Sequence, residues 1–375
     1  MLLPGATLGV LGGGQLGRMF VLAARVMGYR VVVLDPDPQS PAGQVADIHL
    51  KADYSDAVAL LHMGGMCDAV TTEFENVPAK SLEMLAKHCF VAPSPAALAV
   101  AQDRLAEKSR AREFGCDTAP FADIEDEGDL VHAWSVVGGP ALLKTRRLGY
   151  DGKGQARVDS LDDLVAAHEE LGRLPCLLEG FLPLHKEISV ILARNPAGEI
   201  AFFPLAENRH ARGILDLSIV PAQVPEATAE TARQMAARIA EGLDYVGVLA
   251  VEFFVLEDGR VVFNEMAPRP HNSGHYTLDA CATDQFQQQV RALCNLPLGD
   301  TRLLSPVVMV NLLGDIWRPE PNWGELLRHP GVQLHLYGKA EARPGRKMGH
   351  YNCLAPTVEE ALALALRTRA ALGIG

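Results

Sequence analysis

The sequence predicts a mixed α/β molecule: a parallel-sheet unit in residues 1–100, then an α+β portion whose strands are mainly antiparallel. Three observations carry this reading. Residues 1–100 alternate short apolar runs with stretches of helical period, and from Lys186 onward apolar runs follow one another across short turns. The 375 residues are 48% apolar and only 21% charged, enough to fill more than one core.

The first element, "GVLGGGQLGRM" (9–19), reads as a strand running through a glycine turn into a helix. Leu16, Met19, Phe20, Ala23, Val26 and Met27 then repeat at helical spacing. A strand at 29–35, a short helix, a strand at 68–74, a helix at 79–87 and a strand at 89–94 complete a doubly wound parallel sheet. Gly12, Gly14 and Gly17 have the G-x-G-x-x-G spacing, and Asp35 closes the next strand. That is the signature of a dinucleotide site, so a nicotinamide-dependent oxidoreductase is one reading of this end of the chain.

A helix is expected from Pro95 to Phe114, stopped by Gly115. The strand 140–147 leads into the glycine-rich loop 148–156, and Ser160 with Asp163 reads as the capping box of the next helix. "PCLLEGF" is a further strand; "EISVILAR" and "EIAFFPLAE" then flank the turn "NPAG". A helix near 226–242, the strand "SPVVMVNLLG", a hairpin ending in "RKMGH" and a final helix follow.

The run "VGVLAVEFFVLEDGRVVFNEMAPRP" is two strands joined at Asp258-Gly259. A two-residue type I′ turn there sets Glu257 opposite Arg260. Counting outward brings Glu252 opposite Glu265, on a face shared with Phe254, Leu256, Val261 and Phe263. Two opposed carboxylates repel unless a cation lies between them, and such a pair suits Mg²⁺ on nucleotide phosphates. A slipped register would instead leave one of them in solvent. Asn264, Arg269, His271 and Asn272 crowd polar groups after the second glutamate.

Other polar clusters keep two readings each. Lys153 among Gly149, Gly152 and Gly154 suits a phosphate cradle or an exposed hairpin tip, and no Walker loop occurs. Lys144 within an apolar strand either meets a buried anion or faces water at an edge. Glu73 and Glu75 end a parallel strand, where such sheets present ligand contacts; a helix N-terminal acid is the other reading. Lys339, Arg343, Arg346 and Lys347 form either a phosphate clamp or a solvated hairpin.

A net charge of −12 argues against a general nucleic-acid surface. Seven scattered cysteines without C-x-x-C argue against a disulfide framework or zinc site. No apolar run reaches membrane length and the start lacks a charged leader, so a cytoplasmic protein is expected.

Taken together, "GGGQLGRM", "TTEFENVP", "AQDRLAEK", "KTRRLGYDGKGQ", "EISV", "GVLAVEFF", "NEMAPRPHNSGH" and "RPGRKMGH" resemble the ATP-grasp superfamily, and within it the 5-(carboxyamino)imidazole ribonucleotide synthase family. They occur in family order from residue 9 to 350. The resemblance implies an ATP-grasp fold behind a Rossmann-like domain at 1–100, a small lid subdomain at 101–185 and a large subdomain at 186–375. It implies a carbon-nitrogen ligase of purine biosynthesis that uses ATP, bicarbonate, 5-aminoimidazole ribonucleotide and Mg²⁺ or Mn²⁺, as a homodimer.

By position, the resemblance puts Arg104, Lys144 and Gly149, Tyr150, Asp151, Gly152, Lys153, Gly154 and Gln155 around ATP. Glu179, Gly180, Phe181 and Leu182 become the adenine hinge; Glu187, His210 and Asn264 make further nucleotide contacts. Glu252 and Glu265 are the implied metal ligands. Arg269, Lys153 and Asn272 are the implied catalytic residues, Arg269 as the bicarbonate anchor. Gln15, Leu16, Glu73 and Asn272 would face the ribonucleotide, with Lys339, Arg346 and Lys347 on its phosphate. One departure stands out: many superfamily members carry asparagine two residues after the second metal glutamate, where this chain has Ala267. A formate-dependent glycinamide ribonucleotide transformylase is the nearest rival; a biotin-dependent carboxylase subunit and a non-catalytic ATP-binding regulator are further ones.

Overall fold

A computed structural model describes residues 1–149 and 154–374. Strands β1 (Thr7–Leu11), β2 (Arg30–Leu34), β3 (Ile48–Leu50), β4 (Ala69–Thr72) and β5 (Phe90–Val91) form a parallel sheet in the order β3-β2-β1-β4-β5. Val31 and Val33 face one core with Phe20 and Val21 of α1 (Gln15–Val26). Val32 and Leu34 face the other, with Leu60 of α2 (Ala57–Met66) and Leu82 of α3 (Ala79–Leu85). Burial on both faces explains why these strands read as unbroken apolar runs.

Three expectations for this region need adjusting. β3 is an additional edge strand ahead of α2; its three half-buried residues carry little pattern. The strand expected at 89–94 shrinks to two residues, since Pro93 has no N–H to offer a ladder. The helix expected from Pro95 to Phe114 is two helices, α4 (Pro95–Ala101) and α5 (Arg104–Glu113). Asp103 breaks it: its carboxylate accepts the Leu105 and Ala106 N–H groups at 3.0 and 3.4 Å, which caps α5. Arg146 donates to the same carboxylate at 2.8 Å, so the cap also ties α5 to the next sheet.

That sheet is small and antiparallel: β6 (Phe121–Ile124), β7 (Ala141–Thr145), β8 (Gln155–Val158) and β9 (Cys176–Gly180), in the order β6-β9-β7-β8. Ala141, Leu143, Cys176 and Leu178 bury one face with α6 (Leu130–Val137) and α7 (Leu161–Glu170). Strand alternation therefore turns Lys144 and Glu179 to the opposite face. Ser160 caps α7 through the Asp163 N–H at 3.1 Å, while Asp163 reaches back to the Asp159 N–H at 3.2 Å.

The large sheet is antiparallel and nine-stranded. It contains β10 (Leu184–Arg194), β11 (Ile200–Phe202), β12 (Ala206–Ala211), β13 (Ile214–Val220), β14 (Gly247–Leu256), β15 (Val261–Ala267), β16 (Val307–Leu313), β17 (Val332–Leu336) and β18 (Lys347–Leu354). Its main path is β15-β14-β10-β12-β13-β16-β18-β17. α8 (Glu226–Gly242) covers β10 and β14. α9 (Thr277–Ala280) follows β15, and α10 (Gln285–Leu293) places Phe286, Val290 and Leu293 in the core of the parallel sheet, joining the two units. α11 (Trp323–Leu326) and α12 (Val358–Ala371) close the far end. No helix among the described residues is long and apolar enough to cross a membrane.

The β14–β15 hairpin reaches the expected pairing by a different route. Leu256 N–H donates to Arg260 O and Gly259 N–H to Leu256 O, both at 2.9 Å. The loop is thus three residues, with Gly259 at φ +85°, and not a two-residue type I′ turn. Phe253 consequently pairs with Phe263 and Val255 with Val261. A bulge at Asn264 then adds one residue, and Glu252 falls opposite Glu265 after all. The bulge also corrects the face: Val261 and Phe263 lie with Phe253 and Val255 in the core, away from the glutamates.

Candidate active site

The glycine turn is shaped around a carboxylate of the protein itself. At Gly12 (φ +108°) a Cβ would stand 2.2 Å from the Glu73 side chain, and at Gly14 one would stand 2.5 Å from its Oε1. Glu73 Oε1 accepts the Gly14 N–H at 2.6 Å and Oε2 the Gly17 N–H at 2.8 Å. The anion seat at the start of α1 is therefore filled from β4. Burial outweighs these two hydrogen bonds and raises the Glu73 pKa. Asp35 is equally committed, accepting from Gly13 N–H at 2.7 Å, Asp37 N–H at 2.8 Å and Tyr54 O–H at 2.5 Å. The two features that suggested a dinucleotide thus serve the loop's own structure. Gln15 is half-buried in the first turn, and Leu16 is buried beside Glu73 and Pro270.

Glu75 leaves the same sheet edge and accepts from Arg269 Nε at 2.6 Å. Burial opposes both charges, but each partner outweighs it: Glu75 sits below and Arg269 above its ordinary pKa. Arg269 is thereby held where the parallel sheet meets the end of β15.

Glu252 and Glu265 face each other on the large sheet. Burial, then the charge of Glu265, pushes Glu252 up to about 7. Glu265 keeps 42% of its side-chain exposure toward the cleft; partial desolvation there would raise it too, but Arg104 at 3.1 Å and the more distant Lys144 hold it down. Glu107 lies close behind, accepting the Met266 N–H at 2.6 Å, and is pushed up to about 8 by burial and Glu265. This is a surplus of negative charge beside oxygen donors, which fits a hard divalent cation. Ala267 adds no donor. Asn264, the bulge residue, is half-buried beside the pair. Asn272 is buried and spends its amide on Asn311: each side chain donates to the other, at 2.9 and 2.6 Å.

The segment after β15 is braced from below. Asn208 Nδ2 donates to Ser189 Oγ at 3.1 Å, Ser189 to Ser273 Oγ at 2.8 Å, and Ser273 Oγ meets His271 Nδ1 at 2.8 Å. Gln285 holds the His271 backbone N–H and C=O, each at 2.9 Å. Burial, then Arg269, lowers the His271 pKa well below its ordinary value, so the ring is neutral.

Across the cleft, Lys144 is buried against an anion: it and Lys108 of α5 both pair with Glu179. Burial opposes ionisation of Glu179, but the two lysines drive its pKa far down. Gly180 and Phe181 donate their N–H groups to Pro120 O and Pro140 O at 2.9 Å, and the Arg157 guanidinium lies 4.7 Å over the Phe181 ring. Leu182 follows, half-buried. A cleft of about 280 Å³ opens beside Glu187, Asn208 and His210. Glu187 pairs with His210 Nδ1 at 2.6 Å, and against the effect of burial this raises the His210 pKa.

Between β17 and β18 the basic segment reaches back to the parallel sheet. Gly338 O accepts from Gln44 Nε2 at 3.3 Å, and the Arg18 guanidinium lies beside Gly338. Lys339 donates to Lys347 O and Arg346 to Glu341 O, both at 2.6 Å. Arg343 is exposed and paired with Glu341.

One region thus collects Gln15, Leu16, Glu73, Arg269 and the basic segment; a neighbouring one collects Arg104, Lys144, Glu252 and Glu265. Gly149 and Gly154 end the described stretches on either side of the glycine-rich loop, and Gln155 opens β8 opposite Lys144. Tyr150, Asp151, Gly152 and Lys153 lie outside the described residues. Glu107, Lys108, Gln285 and Asn311 join the site although no motif singles them out in the sequence. Lys108 sits in "RLAEKSRARE", which reads as an exposed helix. Asn311, alone and polar within "VVMVNLL", was a legible signal.

Comparison with known proteins places these features in one family. Residues 5–102 match the ribonucleotide synthetase preATP-grasp domain, 109–286 the ATP-grasp domain and 307–364 the phosphoribosylaminoimidazole carboxylase C-terminal domain. The chain is 48% identical to N5-carboxyaminoimidazole ribonucleotide synthase of Brucella melitensis over 94% of its own length and 97% of that protein's. Identity to the Bacillus subtilis protein of the same name is 44%, over 95% and 93%. The crystal structure of an N5-carboxyaminoimidazole ribonucleotide synthetase with ADP superposes with a TM-score of 0.94 at 46% identity, covering 98% of this chain and 97% of that one. An Aspergillus clavatus enzyme in complex with ADP and 5-aminoimidazole ribonucleotide superposes at 0.91 with 32% identity and 98% coverage of each chain. The chain belongs to the N5-carboxyaminoimidazole ribonucleotide synthase family of ATP-grasp proteins.

Proposed function

We propose that this chain couples ATP cleavage to the carboxylation of 5-aminoimidazole ribonucleotide on its exocyclic nitrogen, a step of purine biosynthesis. The observation that carries the reading is the junction of two half-sites. A glutamate pair suited to a divalent cation on nucleotide phosphates lies near enough for Glu265 to interact with the charge of Arg269, and Arg269 is anchored to the sheet edge that carries the glycine turn.

ATP lies between the small and large sheets, with Arg104 and Lys144 toward its phosphates, residues 149–155 and Asn264 around them, residues 179–182 near the base and Glu187 and His210 toward the sugar. Glu252 and Glu265 would hold the divalent cation, which when bound would neutralise phosphate charge and so ease attack at the γ-phosphorus. Arg269 orients bicarbonate by its guanidinium fork. A bicarbonate oxygen bonds to the γ-phosphorus as the bond to ADP breaks, giving carboxyphosphate. The amine then takes the carboxyl group, directly or as released CO₂; the carbon–oxygen bond to phosphate breaks and the amine loses a proton. Gln15, Leu16, Glu73 and Asn272 line the ribonucleotide side, and Lys339, Arg346 and Lys347 hold its phosphate. Asn272 acts as a shape-giving wall, because its amide is already spent on Asn311. Residues 101–185 act as the lid, and a cytoplasmic homodimer completes the reading.

ADP release tests the assignment. With bicarbonate present, 5-aminoimidazole ribonucleotide should stimulate it strongly, and glycinamide ribonucleotide plus formate should not. Stimulation by the glycinamide pair alone would transfer the chain to the transformylase reading. In the same assay Arg346→Ala should raise the KM for the ribonucleotide about tenfold with little change in the KM for ATP, the loss of one charge-assisted contact. An unchanged ribonucleotide KM would remove Arg346 from the clamp.

A further inference from the structure

Lys108 has no place in the mechanism above, yet it is the more deeply buried of two lysines that share one carboxylate. Side-chain exposure is 1% for Lys108, 4% for Glu179 and 9% for Lys144. The three come from α5, β9 and β7, and strand alternation turns Glu179 and Lys144 away from the small sheet's own core. Lys108 also lies 5.6 Å over the Phe263 ring, which fixes its ammonium between the small sheet and β15.

A single buried lysine on Glu179 would make a one-to-one pair. Pulling Lys144 away would then leave a bare buried carboxylate, a strongly unfavourable state. With Lys108 fixed on the same carboxylate, Lys144 can turn to a phosphate while Glu179 stays compensated. We infer that Lys108 is a positioning residue that releases Lys144 from Glu179 for the nucleotide phosphates. The inference rests on the proposed role of Lys144.

Charge and rescue test it together, by steady-state kinetics on the full-length protein with thermal unfolding as the fold control. Lys108→Met should raise the KM for ATP about tenfold, the size of one charge interaction, with the bicarbonate and ribonucleotide constants little changed. Adding Glu179→Gln to that variant removes the competitor for Lys144 and should recover most of the loss when measured against Glu179→Gln alone, which controls for the place of residue 179 near the base. A merely structural lysine gives no such recovery, because the second substitution removes one more buried partner. Lys108→Arg, which keeps the charge, should remain within about threefold of the native constant and carries the test if the methionine variant does not fold. An unchanged KM for ATP in folded Lys108→Met, a double variant no better than the single one, or a tenfold loss in Lys108→Arg would overturn the inference. Lys144→Met separates the underlying reading: an unchanged ATP constant there removes Lys144 from the phosphates, whereas a rise there without one in Lys108→Met overturns the Lys108 role alone.

Discussion

Glu265→Gln is expected to lower kcat by about a thousandfold, roughly 4 kcal/mol of transition-state stabilisation, while the protein stays folded. The amide keeps the size of the side chain and an oxygen, but it removes the charge that makes the pair attractive to a divalent cation. The fold should tolerate this. The Glu265 side chain is 42% exposed, so its 3.1 Å pair with Arg104 contributes little to stability. Its charge also raises the pKa of both Glu252 and Glu107, so neutralising it relieves two buried carboxylates. Turnover and thermal unfolding measured together check this. Near-normal turnover would remove the pair from the reaction.

Arg269→Met should be nearly as severe for turnover, about a hundredfold or more, and unlike Glu265→Gln it should also destabilise the protein. Arg269 is mostly buried and compensates Glu75 at 2.6 Å; without it that carboxylate is left poorly solvated. Removing one partner of a fully buried pair costs about 3–5 kcal/mol, and the partial exposure of Glu75 reduces this to about 2. The double variant Arg269→Met with Glu75→Gln separates the two effects. It should regain much of the stability and none of the turnover. Recovery of activity in the double variant would mean that the arginine matters only for holding Glu75.

Much of this arrangement was legible in the sequence, though not always for the right reason. The parallel unit was readable because fully buried strands and an amphipathic α1 leave plain periodicities. The Glu252–Glu265 pair was located correctly through two errors that cancel. A three-residue loop shifts the register by one, and the bulge at Asn264 shifts it back. Neither is encoded strongly, because Asp258-Gly259 suits both loop lengths. The glycine turn misleads in isolation: its spacing reports close approach to a helix N-terminus, and here the approaching anion is Glu73, 56 residues beyond Gly17. Long-range polar pairs such as Glu75–Arg269, Lys108–Glu179 and Asn272–Asn311 leave almost no local trace. The break at Asp103 was visible as an acceptable N-cap, but the apolar run "ALAVA" before it argued for one continuous helix.

In the proposed mechanism ATP is spent on activating bicarbonate. Bicarbonate enriched in ¹⁸O tests it most directly, by mass analysis of the phosphate released in a short reaction with the ribonucleotide. One heavy oxygen should pass from bicarbonate to each phosphate, because the bond to carbon breaks only after the bond to phosphorus has formed. Phosphate free of the label, with ADP still formed, would contradict it and point to direct attack on ATP by water or by the ribonucleotide.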